Sequence, residues 1–217
     1  RIAHDRNILS KNVGLQTEDS NIRKTITNEE VLRLPQVGRD PYELARLTPG
    51  VFGSGARGTN GGSVGLPNTT GPGGSSVSIF QTENQVPISA NGQRVSANSF
   101  QIDGVSVNSQ TWGGAAVITP SQESVSEVQV SSSSYSAEDG RNSGAVVKVV
   151  SKSGTNNFHG SLFFKYADPS LNAFNKFGSG TRVENKFRQY GGSLGGRIWR
   201  DKLFFFFTYE GAQSKSN

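Results

Sequence analysis

The 217-residue sequence contains no cysteine and no methionine, and only two histidines, His4 and His159. The absence of cysteine excludes disulfides and thiolate metal sites. With two histidines, a multi-histidine metal site is not expected, and the sequence predicts no metal centre. Translation starts with methionine, so a chain that begins Arg1-Ile2-Ala3 is expected to be an internal or processed piece.

Long hydrophobic runs are also lacking. No stretch approaches the roughly 20 apolar residues that a transmembrane helix needs. The first residues show no basic-then-apolar signal peptide, which is expected to have been removed or to lie upstream. Hydrophobic residues make up 33% of the chain and glycine contributes 27 residues. This composition predicts a chain rich in turns and strands.

The net charge of +5 is unevenly distributed. Residues 1–155 contain 13 Lys/Arg and 13 Asp/Glu, so 13 − 13 = 0, whereas residues 156–217 contain 9 and 4, so 9 − 4 = +5. The same last segment holds 10 of the 13 phenylalanines. We therefore predict a domain boundary near residue 155.

The start of the chain predicts a flexible lead-in followed by two short helices. Residues 1–24 are polar and lack apolar periodicity. Thr27 and Glu30 fit a capping box, in which each side chain binds the backbone N–H of the other residue. Asp40 is a good N-cap residue, and Pro41 suits the first position of a second helix.

Strand signals follow a glycine-rich loop at residues 53–76. The dipeptides Asn91-Gly92 and Asp103-Gly104 indicate turns. Residues 144–150, GAVVKVV, are β-branched and largely apolar, and predict a central strand.

The last part of the chain predicts three aromatic strands at residues 158–166, 187–198 and 202–210. A long polar connection at 167–186 joins the first two, and a tight turn at 199–201 joins the last two. Segments of about ten residues with one long and one short connection are typical of transmembrane β-barrels. A soluble β-meander with phenylalanines in its core remains the alternative for this segment taken alone.

The first of these segments alternates along its length. One face carries Phe158, Leu162, Phe164 and Tyr166, and the other carries His159, Ser161, Lys165 and Phe163. In a barrel strand, such alternation places one face toward lipid and the other toward the lumen.

Three chemical motifs lack the sequence context that their usual functions require. Gly53–Gly58 fits G-x-G-x-x-G, but it lacks the preceding strand and following helix of a dinucleotide site. The basic C-terminal segment interleaves aromatics as nucleic-acid patches do, but its cations are spread over three strands. No serine lies in a nucleophile elbow. The sequence therefore predicts no cofactor, no nucleic-acid partner and no catalytic residue.

Ten phrases, taken in order, carry a family resemblance. They are EVLRLP with GR at 38–39, ARLTPGV at 45–51, ISANGQR at 88–94, NSFQIDGV at 98–105, ESVSEV at 123–128, YSAEDGR at 135–141, GAVV at 144–147, SKSGTN at 151–156, FHGS at 158–161, and DKLFFFF with YEG at 201–211. Together they resemble the TonB-dependent receptors of bacterial outer membranes, with the Oar-like subgroup nearest. The resemblance spans about residues 26–212.

The resemblance implies an α+β plug, a small mixed sheet with short helices, followed by antiparallel transmembrane β-barrel strands. The implied plug covers residues 25–155, and residues 156–217 would supply the first three strands of a barrel of about 22. The implied partners are the TonB–ExbB–ExbD complex, outer-membrane lipid and an unknown transported ligand. The phrases nominate structural plug positions at Arg39, Asp103, Gly104, Glu138, Gly140, Arg141, Gly144 and Gly154.

Some features depart from the family pattern or stay open. Arg197 stands where the subgroup leads us to expect proline, and residues 1–24 contain no clear TonB box. Import of a ligand is the leading expectation, with export as its variant. A surface structural or adhesive β protein is the alternative, and a secreted enzyme is the third hypothesis. The transported substrate cannot be read from these residues.

Overall fold

The structure, a computed structural model, describes residues 22–34, 39–53, 84–86, 88–133, 143–171 and 185–216. These residues form one short α-helix, several 3-10 turns and twelve strands. In chain order they are β1 Ile22–Thr27, α1 Asn28–Arg33, a 3-10 helix Pro41–Leu47, β2 Val51–Gly53, β3 Asn84–Gln85, β4 Ile88–Ala90, a 3-10 turn Val95–Ala97, β5 Ser99–Ile102, β6 Val105–Ser106, β7 Ala115–Ala116, a 3-10 turn Gln122–Ser124, β8 Val125–Ser133, β9 Val146–Ser151, β10 His159–Ala167, a 3-10 turn Pro169–Leu171, β11 Asn185–Trp199 and β12 Leu203–Ser216.

Five strands form a mixed sheet in the order β1-β8-β9-β5-β6. Strand β9 lies at its centre, as the GAVVKVV pattern predicts, and it pairs antiparallel with β8 and parallel with β5. Val146, Val147 and Val149 of β9 are fully buried. The predicted class, a small mixed sheet with short helices, is confirmed. Two two-stranded ladders, β2-β4 and β3-β7, flank this sheet.

The apolar core of this part forms between the sheet and the 3-10 helix. The rings of Tyr42 and Phe100 pack with their centroids 4.8 Å apart. The Tyr42 hydroxyl donates a 2.9 Å hydrogen bond to the carbonyl of Ile118, and burial raises the pKa of Tyr42. Each such buried side chain contributes about 1.5–3 kcal/mol of transfer free energy.

Both predicted helix starts are present. Thr27 caps α1, and the Thr27 N–H donates to the Glu30 side chain at 2.9 Å, completing the capping box. Asp40 caps the second segment by accepting from the Tyr42 N–H at 2.9 Å, and Pro41 opens it. The second segment is a 3-10 rather than an α-helix. Short seven-residue segments of this kind gain little from α-helical cooperativity.

The sequence did not predict β1, nor the short strands β2 and β7. Strand β1 begins at Ile22 and pairs antiparallel with β8, so the lead-in expected at 1–24 extends three residues too far. The sequence signal of β1 is weak, because polar residues surround Ile26, which is fully buried in the core. The rest of the lead-in and the greater part of the glycine-rich loop lie outside the described residues.

The aromatic strands form a separate three-stranded antiparallel sheet in the order β10-β11-β12. Its alternation follows the predicted pattern: Leu162, Phe164 and Tyr166 are exposed, and Ser161, Phe163 and Lys165 are partly buried against the five-stranded part. A turn at 200–202 joins β11 to β12. Among the described residues, no helix has the length and apolar character to cross a membrane.

Candidate functional site: a buried ion cluster between two sheets

Arg39 is the centre of a buried ion cluster where the two parts of the chain meet. Its backbone adopts a left-handed conformation with φ of 57°, immediately before the Asp40 cap. Its side chain is 8% exposed, and its Nη2 donates to Oε1 of Glu123 at 2.7 Å. A bond this short between opposite charges is a charge-assisted hydrogen bond, stronger than one between neutral groups.

The three-stranded sheet supplies the other partners of Arg39. The guanidinium carbon lies 3.7 Å from the ring centroid of Phe163 on β10, within the range of a cation–π contact. The Arg39 Nε lies 3.7 Å from Oε1 of Glu210 on β12. One side chain from the N-terminal part therefore contacts two strands of the other sheet.

Each carboxylate of the cluster is held by further donors. The Ser161 hydroxyl of β10 donates to Oε2 of Glu123 at 2.6 Å, and Ser121 donates to Oε2 of Glu210 at 2.8 Å. The amide of Gln189, a fully buried residue of β11, donates to Oε1 of Glu210. The two serine bonds run in opposite directions across the boundary between the two sheets. The contact is thus reciprocal.

Lysines adjoin both ends of the cluster. Lys152, after β9, interacts electrostatically with Glu123, and Lys165 of β10 interacts with Arg39 and Glu210. Burial alone raises the pKa of Glu123, but the Ser161 hydrogen bond and the Arg39 charge outweigh it and hold the pKa below its ordinary value. Glu123 is therefore ionised at neutral pH.

A buried cluster of this kind gives specificity of docking more than net stability. Removing a charge from water costs several kcal/mol even when its partner is present. Removing one partner is worse, because it leaves an uncompensated charge and costs about 3–5 kcal/mol. The arrangement can therefore hold the five-stranded part and the three-stranded sheet in one relative position. The loss of one charge would release this contact abruptly.

The predicted positions Asp103 and Gly104 form the two-residue turn between β5 and β6. Both have positive φ, 49° and 80°, as a type I′ hairpin turn requires. The Asp103 carboxylate accepts from the backbone N–H of Ser151 at 2.8 Å and from its hydroxyl at 2.7 Å. The turn is thereby fastened to the end of the central strand.

Gly144 and Gly154 each lie where another segment of backbone comes very close to the glycine. A Cβ on Gly144 would come within 2.7 Å of the Ala97 carbonyl oxygen. A Cβ on Gly154 would come within 2.7 Å of the Gly196 carbonyl oxygen and would also collide with the Phe205 backbone. Gly154 thus lets the segment after β9 cross directly over β11 and β12. Glu138, Gly140 and Arg141 lie outside the described residues.

Two comparisons place this architecture among known proteins. Residues 150–217 match the family model of an outer membrane beta barrel domain. A stretch of 127 residues, 55% of the chain, is 35% identical to the TonB-dependent transporter Oar of Myxococcus xanthus. The chain spans 12% of the length of that curated relative.

Solved structures share the fold. The siderophore receptor PirA of Acinetobacter baumannii matches 90% of this chain and 24% of its own length, with a TM-score of 0.58 and 22% identity. A mutant of the ferric enterobactin receptor PfeA of Pseudomonas aeruginosa matches 89% of this chain and 24% of its own length, with a TM-score of 0.59 and 18% identity. The outer membrane transporter YddB of Escherichia coli matches 90% and 26%, with a TM-score of 0.56 and 19% identity.

The chain is similar over a stretch of 127 residues to a TonB-dependent transporter and matches part of an outer membrane beta barrel domain.

The protein is an outer-membrane protein, and β10, β11 and β12 are barrel strands. The exposed face of β10 is the one that a barrel turns toward lipid, and the face carrying Phe163 is the one it turns inward. The matched relatives are transporters and receptors rather than enzymes. Nothing in the comparisons supports a surface structural or adhesive protein.

The sequence nominates Arg39 but not its partners. Glu123 and Glu210 stood inside the family phrases and were not singled out, and Gln189 gave no signal. A signal was available for Glu210, because it is an acidic residue within an aromatic barrel strand. Charged side chains in membrane-spanning segments face the interior and find partners. Within the described ranges, no group of three or more acidic or histidine side chains could hold a metal ion.

Proposed function

We propose that the whole protein carries a ligand across the outer membrane and that residues 25–155 are the plug that closes its barrel. The plug includes Ile22–Lys24 as well, because all of β1 pairs with β8. Residues 156–217 supply the first barrel strands. A barrel of about 22 strands has a lumen that must be filled to prevent leakage.

The ion cluster around Arg39 is the observation that carries the proposal. Arg39, Ser121 and Glu123 come from the plug, and Glu210 comes from the inward face of a barrel strand. A buried charge contact across this boundary holds the plug in one register while the barrel is closed. Its strength depends on every partner being present, so a pull on the plug can release it in a single step.

We propose that energy for this release comes from the TonB–ExbB–ExbD complex, acting on the N-terminal side of the plug. The motif that TonB would grip is expected upstream of β1. The transported ligand is unassigned: it would be selected by plug loops and by barrel loops beyond these three strands. Import is the direction we propose, with export as the variant.

The closing role can be tested without knowing the ligand. The full-length receptor is reconstituted in planar lipid bilayers, and its conductance is compared with that of Arg39→Glu. The wild-type receptor should be closed, whereas Arg39→Glu should open more often, because it places three carboxylates together. Arg33→Glu is the matched control, since Arg33 forms an exposed pair with Glu29 on α1. Equal conductance of the wild type and both variants would overturn the proposal.

A test in cells determines whether opening of the Arg39→Glu variant requires TonB. Bacteria that express Arg39→Glu should become sensitive to a bulky hydrophilic antibiotic that an intact outer membrane excludes. This leak should persist in a strain lacking TonB, because the variant opens without a pull. A leak that requires TonB would contradict the passive closing role of the cluster.

A further inference from the structure

The plug and the barrel strands are joined through the chain by residues 152–158, the connector between β9 and β10. Its first residue is still bound to the plug, because the Lys152 N–H donates to the Ser124 carbonyl at 2.7 Å. Gly154 already lies against the barrel, where a Cβ would come within 2.7 Å of the Gly196 carbonyl oxygen on β11. The connector therefore passes from the plug to the barrel wall within two residues.

The side chain of Asn156 attaches the connector to the short turn between β11 and β12. Its Nδ2 donates to Oδ1 of Asp201 at 2.7 Å, and its Oδ1 accepts from the Asp201 backbone N–H at 3.0 Å. Asp201 has a left-handed backbone with φ of 59°, a conformation that Asp and Asn adopt more readily than most residues. The Lys202 N–H donates to the Trp199 carbonyl at 3.2 Å and closes the turn. Two hydrogen bonds of opposite direction thus bind the connector to a well-defined turn.

The end of the connector is ordered by its own polar groups. The Thr155 hydroxyl donates to the Asn157 carbonyl at 3.0 Å, and Nδ1 of His159 lies 3.1 Å from the same oxygen. The His159 ring stacks on that of Phe206 on β12, with centroids 6.2 Å apart and an angle of 27° between the planes. These contacts fix the path of the connector into β10, so that it is held to the barrel along most of its length.

The Asn156–Asp201 pair lies apart from the ion cluster around Arg39. Along β12, Leu203 beside the turn and Glu210 of the cluster are 210 − 203 = 7 residues apart, which is about 23 Å at the usual strand rise. Within the described residues, neither Asn156 nor Asp201 forms a hydrogen bond or ion pair with a member of that cluster. Loss of the cluster would therefore leave the Asn156–Asp201 pair intact.

We propose that Asn156 and Asp201 form a fixed joint about which the plug tilts when the ion cluster around Arg39 releases. A body that is held at one place and freed at another rotates about the held place, so the plug stays inside the barrel after opening. Strand β9, which leads directly into the connector, moves least, and the segments around Arg39 move most. The inference rests on the proposed closing role of the plug.

Hydrogen exchange of the purified full-length protein in detergent tests the joint, with the Asp201 amide as the reporter because it donates to Asn156. Asn156→Ala should speed this exchange about ten-fold, since both bonds between the two residues are lost. Asn157→Ala is the matched control, because the Asn157 carbonyl rather than its side chain accepts the connector's hydrogen bonds. Asn156→Asp combined with Asp201→Asn should restore the wild-type rate, because donor and acceptor side chains are only exchanged. Equal exchange in Asn156→Ala and Asn157→Ala would overturn the joint.

Conductance of the full-length protein in planar bilayers tests the tilt. In Arg39→Glu, the Asp201 amide should keep its wild-type exchange, and the tilted plug should still obstruct part of the lumen. Adding Asn156→Ala should raise the open conductance at least about two-fold, because the plug can then leave a lumen of this size, whereas adding Asn157→Ala should not. Equal open conductance of Arg39→Glu with and without Asn156→Ala would overturn the tilt.

The two proposals fail in different ways. A closed Arg39→Glu channel would overturn the closing role of the cluster and the tilt with it, while the Asp201 exchange would still decide whether the joint exists. Heat-modifiable gel mobility verifies that each variant has a folded barrel.

Discussion

Arg39 and Glu210 meet at 3.7 Å between the guanidinium Nε and a carboxylate oxygen, although one precedes a short 3-10 helix and the other lies on the last described strand. The pair joins the five-stranded sheet to the barrel strands. Because both side chains are largely buried, at 8% and 18% exposure, the contact depends on both charges being present.

Arg39→Ala should destabilise the plug by about 3–5 kcal/mol, because Glu123 and Glu210 then lose their shared cation inside the protein. Pulse proteolysis of the full-length receptor along a urea gradient measures this free energy of unfolding. Arg33→Ala removes an exposed pair and should change it by no more than about 1 kcal/mol. Similar effects from the two variants would show that the cluster does not hold the plug.

Plug stability should fall in acid through Glu123. Its folded-state pKa is held below the ordinary value of 4.5, so its contribution is fully present above that value. The contribution is lost as pH falls through the lowered folded-state pKa. Glu123→Gln should therefore flatten the decline of plug stability as the pH falls below 4.5, measured by pulse proteolysis. Glu29→Gln, at an exposed position, should leave the curve as it is in the wild type. An unchanged slope in Glu123→Gln would contradict the assignment.

Gly154→Ala should destabilise the receptor by about 1–3 kcal/mol, since the new methyl group meets the backbones of Gly196 and Phe205. The expected mechanism is displacement of the segment that joins the plug to β10. Ser153→Ala, at the adjacent exposed position, should stay within about 0.5 kcal/mol. Thermal unfolding of the full-length receptor compares the two. A neutral Gly154→Ala would mean that the segment can move away from the barrel at no cost.

Thr27→Ala should weaken α1 by about 0.5–2 kcal/mol, because Thr27 caps the helix and completes the box with Glu30. Since β1 leads directly into α1, hydrogen exchange should increase in both elements. Thr25→Ala, two residues earlier on β1, lacks the capping role and is the control. Exchange that changes only in the distant β9 would be inconsistent with a local cap.

Local signals in the sequence predicted much of this fold. The capping box of α1, the β-branched strand β9 and the turn at Asp103-Gly104 each depend on residues close together in the chain. The alternation of β10 could likewise be read directly, since every second side chain faces the same way. Strand β1 could not be predicted, because its buried Ile26 lies among the polar residues Arg23, Lys24, Thr25 and Thr27.

The candidate site was much harder to predict. Arg39 stood out through a family phrase, but Glu123 lies 84 residues away and Glu210 on the other sheet. No periodicity links residues that meet only after two sheets dock. The tertiary contact itself decides which of 17 acidic residues faces the buried arginine.

Strand β10 should have one side toward lipid and one toward the plug, and site-directed spin labelling of the full-length protein in bilayers tests this arrangement most directly. Single cysteines at residues 161–166 carry the label, and collisions with oxygen measure lipid exposure. We expect high oxygen collision rates at Leu162, Phe164 and Tyr166 and low rates at Ser161, Phe163 and Lys165. Equal rates at all six positions, with access to a water-soluble relaxation agent on both faces, would contradict it and return these strands to a soluble sheet.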